Sequence, residues 1–463
     1  MALKTIGKSL KNRWKTYVCY SGIFRELSWR NEKGGDNMKR RQTMALVLAG
    51  MIGFSLTACG GGNSQGGSGN SGGAVTVAIW DNAQLPGLKA IMDDFTKESG
   101  IVVEIQVVPW DQYWTLLEAG AQGGEMPDVF WMHSNYSQKF MSNDILLDLT
   151  DRIAQSQTID LANYYEDITG LYQLDGKTYA IPKDYDTIGL WYNKTLFDEA
   201  GISYPDDTWT WDDMAQAAQK LTQKDKGQYG FTSPAANNQD GYYNLIYAMG
   251  GNVINDDKTK SGWDSPETIA AMNWWYDNLV SVAMPTQEVM GESSADVLFG
   301  SGKAGMIMQG SWMIAAFKEN EYIDANCDVA VLPKAQDGTR KTIYNGLGWA
   351  AAAGNSHIEE SWKLLEYLGS ETAQKKQAEL GVTMSAYMGT SDAWVNCAPE
   401  FHLQAYLDMT DSMEIRPYSR NTKVWEDYSQ TTMVRAYTAE MTMEEVCKDI
   451  AAFMNKELEE EKR

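Results

Sequence analysis

Residues 75–81 (VTVAIWD) follow a stretch of almost pure glycine and serine and alternate as a half-buried strand does. Leu88, Ile91, Met92 and Phe95 then recur at helical spacing, and Gly100 supplies a stop. Residues 101–109 (IVVEIQVVP) read as a second strand, 110–121 as a helix and 127–132 (PDVFWM) as a third strand. This alternation predicts an α/β fold, a parallel sheet with helices on both faces. Ligands of such sheets sit beyond the carboxyl ends of the strands. Trp80, Asp81, Trp131 and His133 occupy those ends, so a polar-aromatic cluster is expected on one rim.

Further along, residues 177–201 place one strand before Pro182 and another over 188–192. A tryptophan-rich turn (TWTW, 208–211) leads into the helical pattern WDDMAQAAQKL, and residues 240–251 read as a helix closed by a glycine pair. Pro266 opens a helix near its first turn, with Trp274 and Trp275 as core positions. Residues 302–312 end a strand in a glycine turn, and 361–369 are helical. Apolar spacing is helical from 441 to 453, after which KELEEEKR reads as a frayed charged end. No internal repeat occurs, and no membrane-length apolar run follows Leu56.

The leader has its own logic. Met38-Lys-Arg-Arg41 is positive, residues 43–56 are of low polarity, and small residues precede Cys59, the order of a secretory signal over 38–58. Residues 1–37 lie upstream of a better initiator at Met38 and are set aside as a mis-assigned extension. Leu56-Thr57-Ala58-Cys59 resembles the lipobox of bacterial lipoproteins, which implies cleavage before Cys59 and acylation of its thiol, palmitate being one such chain. Stable anchoring takes more than one chain. Residues 59–74 would then be lipidated cysteine and flexible tether. Display on the outer face of the cell membrane follows, in the Gram-positive manner first, with a periplasmic lipoprotein as the other placement.

The body of nearly 390 residues is too long for one ordinary core and suits two lobes. Residues 1–58 hold 11 of the 39 basic and 3 of the 62 acidic groups, so the remainder carries a formal −31 (28 basic, 59 acidic). Such a surface repels nucleic acid and anionic lipid. Cys19 and Cys59 belong to the leader, and Cys327, Cys397 and Cys447 are far apart. No C-x-x-C or Cys/His cluster appears, so neither a disulfide framework, nor a metal, nor a cofactor is expected. The aromatic count is skewed: 17 Trp and 24 Tyr against 11 Phe. Rings that pair a flat apolar face with a hydrogen-bonding handle suit a surface that grips something half wet.

Four segments then come in a telling order: PDVFW (127–131), YAIPKDYDTIGLWYNKTLF (179–197), GKAGMIMQGSW (302–312) and ESWKLLEYLGSETAQ (360–374). With them the chain, over about 75–456, resembles the extracellular solute-binding proteins of bacterial ABC importers, in the sugar-binding group typified by maltose-binding protein. The resemblance implies a type II periplasmic-binding-protein-like fold: two α/β lobes, three hinge crossings, and a ligand in the cleft between lobes. It puts the crossings near 184–187, 309–312 and 348–351, lobe one at 75–185 plus 312–348, and lobe two at 187–309 plus 351–463. It implies a monomer that delivers ligand to ABC permease subunits by hinge closure, with no nucleic-acid partner. It also implies ligand contacts at Trp131, Asp184, Asp240, Tyr242, Tyr243 and Trp425. Trp80, Asp81, His133, Asn135, Tyr185, Gln309, Trp312 and Trp349 are well placed beside them.

A pyranose has apolar C–H faces that lie on Trp or Tyr and a belt of hydroxyls that need polar partners, because a buried polar group left unpaired costs about 1–3 kcal/mol. A carbohydrate, in particular an oligosaccharide, therefore fits this residue set. Two alternatives stay open: the same fold around a polyamine or another small solute, and a surface glycan-degrading enzyme. The enzyme would need two carboxylates at a fixed separation, whereas no Ser/His/Asp elbow, phosphate loop or metal constellation is present. A sensor role beside transport is compatible with either ligand.

Overall fold

The computed structural model describes residues 74–462. The upstream extension 1–37, the signal segment, Cys59 and the tether expected after it lie outside the described residues.

Two sheets organise the body. In the first, the strands run in the order Val103–Val107, Val75–Ile79, Val129–Met132, Gly348–Ala351, Ala180–Pro182. The first three are parallel, as the strand–helix alternation predicts, and Gly348–Ala351 runs antiparallel to both its neighbours. The second sheet has Ile188–Asn193 at its centre, antiparallel to Met306–Gly310 on one side and Cys327–Ala330 on the other. Helices cover both sheets.

Local chemistry explains the elements. Leu88, Ile91, Met92 and Phe95 all turn inward from the helix Leu85–Ser99, and Gly100 closes it in the left-handed conformation, its N–H bonded to the Thr96 carbonyl. The tryptophan-rich turn ends in a capping box, Thr210 with Asp213, that opens the helix Trp211–Leu221. Residues 240–251 are interrupted: Asp240 and Gly241 have non-helical backbone, and a regular helix covers only Tyr243–Ala248. The last helix starts at a second capping box, Thr442 with Glu445, and runs through Glu460. The charged end does not fray, because Leu458 is buried, Lys456 pairs with Glu460, and Glu461 accepts from the Ser419 hydroxyl and the Asn421 N–H.

The lobe boundaries differ from those implied by the resemblance. The chain leaves the first sheet at Pro182 and enters the second at Ile188, as expected for a crossing at 184–187. It does not cross at 309–312. Cys327–Ala330 still pairs with Ile188–Asn193, which keeps 312–344 in the second half. The return falls at residues 345–347, so that Gly348–Ala351 is an interior strand of the first sheet rather than a crossing. All four of its residues are buried, and a strand buried on both faces needs a partner on each edge. A Cβ on Gly348 would meet the Ala180 Cβ at 2.8 Å, so only glycine lets the strand approach. The third passage lies between Ser391–Asn396, packed on the helix Glu371–Glu379, and Gln404–Asp408, packed on the second sheet. The first half is thus about 75–183 with 346–397, and the second about 187–344 with 402–462.

The cores follow this division only partly. One apolar cluster fills both faces of the first sheet and continues through Trp191, Trp394, Phe401 and Tyr406 onto one face of the second. The other cluster lies between the opposite face and the helices Trp211–Leu221, Pro266–Trp275, Thr422–Tyr437 and Met443–Glu460. Among the described residues no helix is long and apolar enough to cross a membrane.

Gly230 tests the packing of the second half. A Cβ there would lie 1.7 Å from the Ala218 carbonyl oxygen, a backbone atom inside a helix that has no free direction to move. Gly230→Ala is expected to lower the urea midpoint by the equivalent of about 1–3 kcal/mol, with an unchanged denaturant slope.

Candidate functional site

A cavity of about 370 Å³ lies where the two halves face each other. Trp110, His133 and Asn135 line it from the first half, and Asn238, Asp240 and Trp312 from the second. Arg416 and Glu426, on the segment after the third passage, form its floor. Three first-sheet connections supply one wall. Trp110 follows Pro109 at the start of the helix Trp110–Gly123, and His133 follows the strand Val129–Met132 and caps the helix Ser134–Ser142. Trp80 stands just past the first strand, edge-on to Trp110 at 5.0 Å and to Trp131 at 4.8 Å. Of the expected rim cluster of Trp80, Asp81, Trp131 and His133, the three rings come together with Trp110 as their exposed neighbour, whereas Asp81 turns to the Ala83 N–H and the Gln84 amide.

Glu426 is the hub. Its carboxylate accepts both contacts of the Arg416 guanidinium at 3.0 Å, the Asn238 amide at 3.1 Å and, from the opposite half, the Asn135 amide at 2.6 Å. Arg416 also donates to Asn238 Oδ1 at 3.1 Å. On the hinge side Asp186 accepts from the Gln239 amide at 2.7 Å and from the Asn345 N–H at 3.0 Å. Burial pushes the Glu426 carboxyl up against the opposing pull of Arg416. Burial, with Asp184 adding repulsion, holds Asp186 well above the usual carboxylate range. Burial is also the main reason that Asp240 rises to about 6. His133 is held well below its ordinary value by burial and by Arg416, so the ring is neutral at neutral pH. Its Nδ1 accepts the Asn135 N–H at 3.1 Å, which leaves the proton on Nε2, 3.2 Å from the Asn345 amide. Arg416 Nη1 also faces that nitrogen at 3.4 Å.

The buried side-chain atoms without a protein partner include Asn135 Oδ1 and Arg416 Nε, on residues that line this cavity. Buried polar groups are ordinarily paired. A cavity lined by polar side chains beside partly exposed indoles suits a small polar molecule with flat apolar faces. Among the described residues no group of three or more His, Cys, Asp or Glu is placed to hold a metal ion.

Residues 90–395 match the family of bacterial extracellular solute-binding proteins. The chain belongs to that family. The galactooligosaccharide-binding protein of Bacillus subtilis is 25% identical over 356 residues, 73% of this chain and 79% of its own. An ABC substrate-binding protein from Listeria monocytogenes, solved in complex with cycloalternan, superposes with a TM-score of 0.76 at 22% identity, over 83% of this chain and 98% of its own. An ABC transporter solute-binding protein from Thermotoga lettingae, bound with alpha-D-tagatose, gives 0.72 at 23% identity over 83% and 99%. The fold is the two-lobed one these solute-binding proteins share.

Within this family member the anticipated contacts separate into groups. His133, Asn135, Asp240 and Trp312 line the cavity, with Trp80 one ring behind. Others hold the scaffold. Asp81 accepts from the Ala83 N–H and the Gln84 amide, a turn that opens the first helix. Asp184 pairs with buried Lys183 at 2.6 Å and accepts the Leu347 N–H at 2.7 Å, tying the first two passages together. Tyr185 packs on Tyr165 beside them. Gln309 sits in the second sheet, where its carbonyl accepts from Tyr406.

Trp131 and Trp349 face each other across adjacent strands, both buried, with Lys183 4.5 Å above the Trp131 ring. Tyr242 and Tyr243 are buried edge to face in the second core. Trp425 is fully buried there as well, its indole N–H donated to Ser419 Oγ at 2.9 Å. Trp131 and Trp425 thus belong to different cores and share no groove, because each ring lies on the inward side of its element. Trp275 is core as expected, whereas Trp274 is half-exposed.

The residues that sequence reasoning missed are Trp110, Asp186, Asn238, Gln239, Arg416 and Glu426. Trp110 carried a signal, following a strand and a proline at the same rim as Trp80. The others did not, because nothing in EIRPYSR or KVWED distinguishes a buried ion pair from two surface charges.

Asp240 provides a pH test. An acid whose folded value is raised contributes stability at low pH that is lost as pH rises through the folded value. Asp240→Asn removes that loss. The thermal midpoint of the variant minus that of the parent is therefore expected to grow as pH rises from about 4 to about 7; a difference flat across that window would show that Asp240 does not carry the shift.

Proposed function

We propose that this chain captures a carbohydrate, in particular an oligosaccharide, in the cavity between its halves and delivers it to the membrane subunits of an ABC importer when the halves close. The lining carries the reading: His133, Asn135, Asn238, Asp240 and Arg416 stand around the cavity beside the partly exposed Trp110 and Trp312 rings. A sugar's ring face and hydroxyl belt match that pairing. Family membership supports it, as do the names of relatives that bind galactooligosaccharide, cycloalternan or tagatose. The role is binding, not catalysis. Glu426 is held by Arg416 and two amides, which suits an immobile acceptor better than a proton donor.

Acidic groups outnumber basic ones around the cavity, with Asp186, Asp240, Glu426 and Asp427 near Arg416 and Lys423. That balance keeps a cationic solute such as a polyamine as the second reading. Against it, Arg416 sits at the centre, and Asp186 and Asp240 have raised pKa values that reduce their negative charge.

Titration calorimetry with a mono- and oligosaccharide panel, and with spermidine, separates the two. Saturable binding of a saccharide is expected, and Trp312→Ala or Trp110→Ala should weaken it about tenfold or more, while Trp425→Phe leaves affinity unchanged and lowers only the thermal midpoint. Binding of spermidine and of no sugar would replace the reading. Acylation of Cys59 and display at the membrane surface complete the proposal, since a tether raises the binder's effective concentration near its transporter. Cys59→Ala is expected to move the protein from the membrane fraction to the medium or periplasm, read by fractionation and immunoblot.

A further inference from the structure

The tryptophan-rich turn plays no part in the cleft, yet it lines a second concavity. Trp211, Asp212, Tyr247, Met249, Trp274 and Gln336 surround about 350 Å³ on the second half, close to the cleft cavity in size and sharing no lining residue with it. Two indoles meet there edge to face, their centroids 6.3 Å apart. Trp274 is half-exposed in mid-helix, and its ring is held in one orientation because Nε1 donates to Asp212 Oδ1 at 3.0 Å. Gln336 donates to the other Asp212 oxygen at 2.7 Å. Each carboxylate oxygen therefore keeps acceptor capacity, since an ionised carboxyl offers about four lone-pair sites. Trp211 is only 3% exposed, yet its Nε1 has no partner in the protein. That N–H is closed off from solvent, so the polar groups the pocket itself presents are those of Asp212 and Gln336.

We propose that this pocket is a second saccharide site, separate from the interlobe cavity. The fixed Trp274 ring offers a face for the C–H side of a sugar, and Asp212 and Gln336 offer acceptors and donors for its hydroxyls. Lys334 at the rim is paired with Asp207 at 3.1 Å, so the pocket presents no free cation to an anionic ligand. The pocket lies on one half alone, with no opposing wall to close over it, so it binds more weakly than the cleft. An accessory site of this kind holds a second stretch of a long glycan, or concentrates short ones, on the half that carries it. Its occupancy does not depend on what the cleft binds.

The test uses the intact chain isotope-labelled at its indole nitrogens, titrated with maltotriose and, separately, galactotriose. Trp211→Phe and Trp274→Phe assign the two resonances. Either saccharide is expected to shift both indole N–H signals, at concentrations above those that saturate the cleft. Trp274→Ala and Gln336→Ala should each weaken that response about tenfold or more, with the cleft response unchanged. Gln336 is exposed, so its removal leaves folding aside. If neither saccharide moves either signal up to its solubility limit, or if the shifts survive both variants, the proposal is overturned. A response confined to the cleft overturns it as well, and leaves the reading of the cleft intact.

Discussion

Arg416 and Glu426 meet inside the protein, and the cost of taking both charges out of water governs what surrounds them. A buried pair is weak as a source of stability, because desolvation offsets most of its attraction, but breaking it by removing one partner costs about 3–5 kcal/mol. Here side-chain amides add to the pair, Asn238 to both ions from one half and Asn135 to Glu426 from the other, while Arg416 Nε stays unpartnered. The carboxylate is thus a junction at which the two halves share a charge. Separating them strips Glu426 of its Asn135 bond and exposes the pair to water, which rewards ions. Bringing them together asks the amides to replace that water. A bound molecule that supplies further hydrogen bonds favours whichever arrangement it bonds better.

The hinge is stiffened by different means. Lys183 and Asp184 are paired beneath the Trp131 ring, Asp184 also holds the Leu347 N–H, and Asp186 holds the Asn345 N–H. Two neighbouring carboxylates on the first passage thereby grip the backbone of the second.

Much of the architecture was legible in the residues themselves. The periodicity of 75–132 foretold three parallel strands with helices between, and the rule that strand ends gather ligand-facing groups found His133 at the cavity, with Trp80 one ring behind, but not Asp81 or the buried Trp131. What could not be read was the pairing of distant segments. Gly348–Ala351 is a run of four apolar residues with no period to say which sheet it joins, and the crossings were misplaced for that reason. Site residues divided in a similar way. Those next to strand ends, such as His133 and Asn135, line the cavity as expected, whereas Trp425 and Tyr242 depend on which side of a helix faces inward. The pattern around them does not decide it, since the helix Thr422–Tyr437 buries Thr, Glu and Ser beside its apolar residues.

The interior position of Gly348–Ala351 has a bearing on how the molecule is made. Its neighbours Val129–Met132 and Ala180–Pro182 leave the ribosome more than 160 residues earlier and cannot become adjacent to a common partner until it arrives. Contacts spanning so much sequence form slowly. Until then the earlier segments lack their central strand and stay loose. The first sheet therefore closes late in synthesis, when its interior strand is added between partners already made.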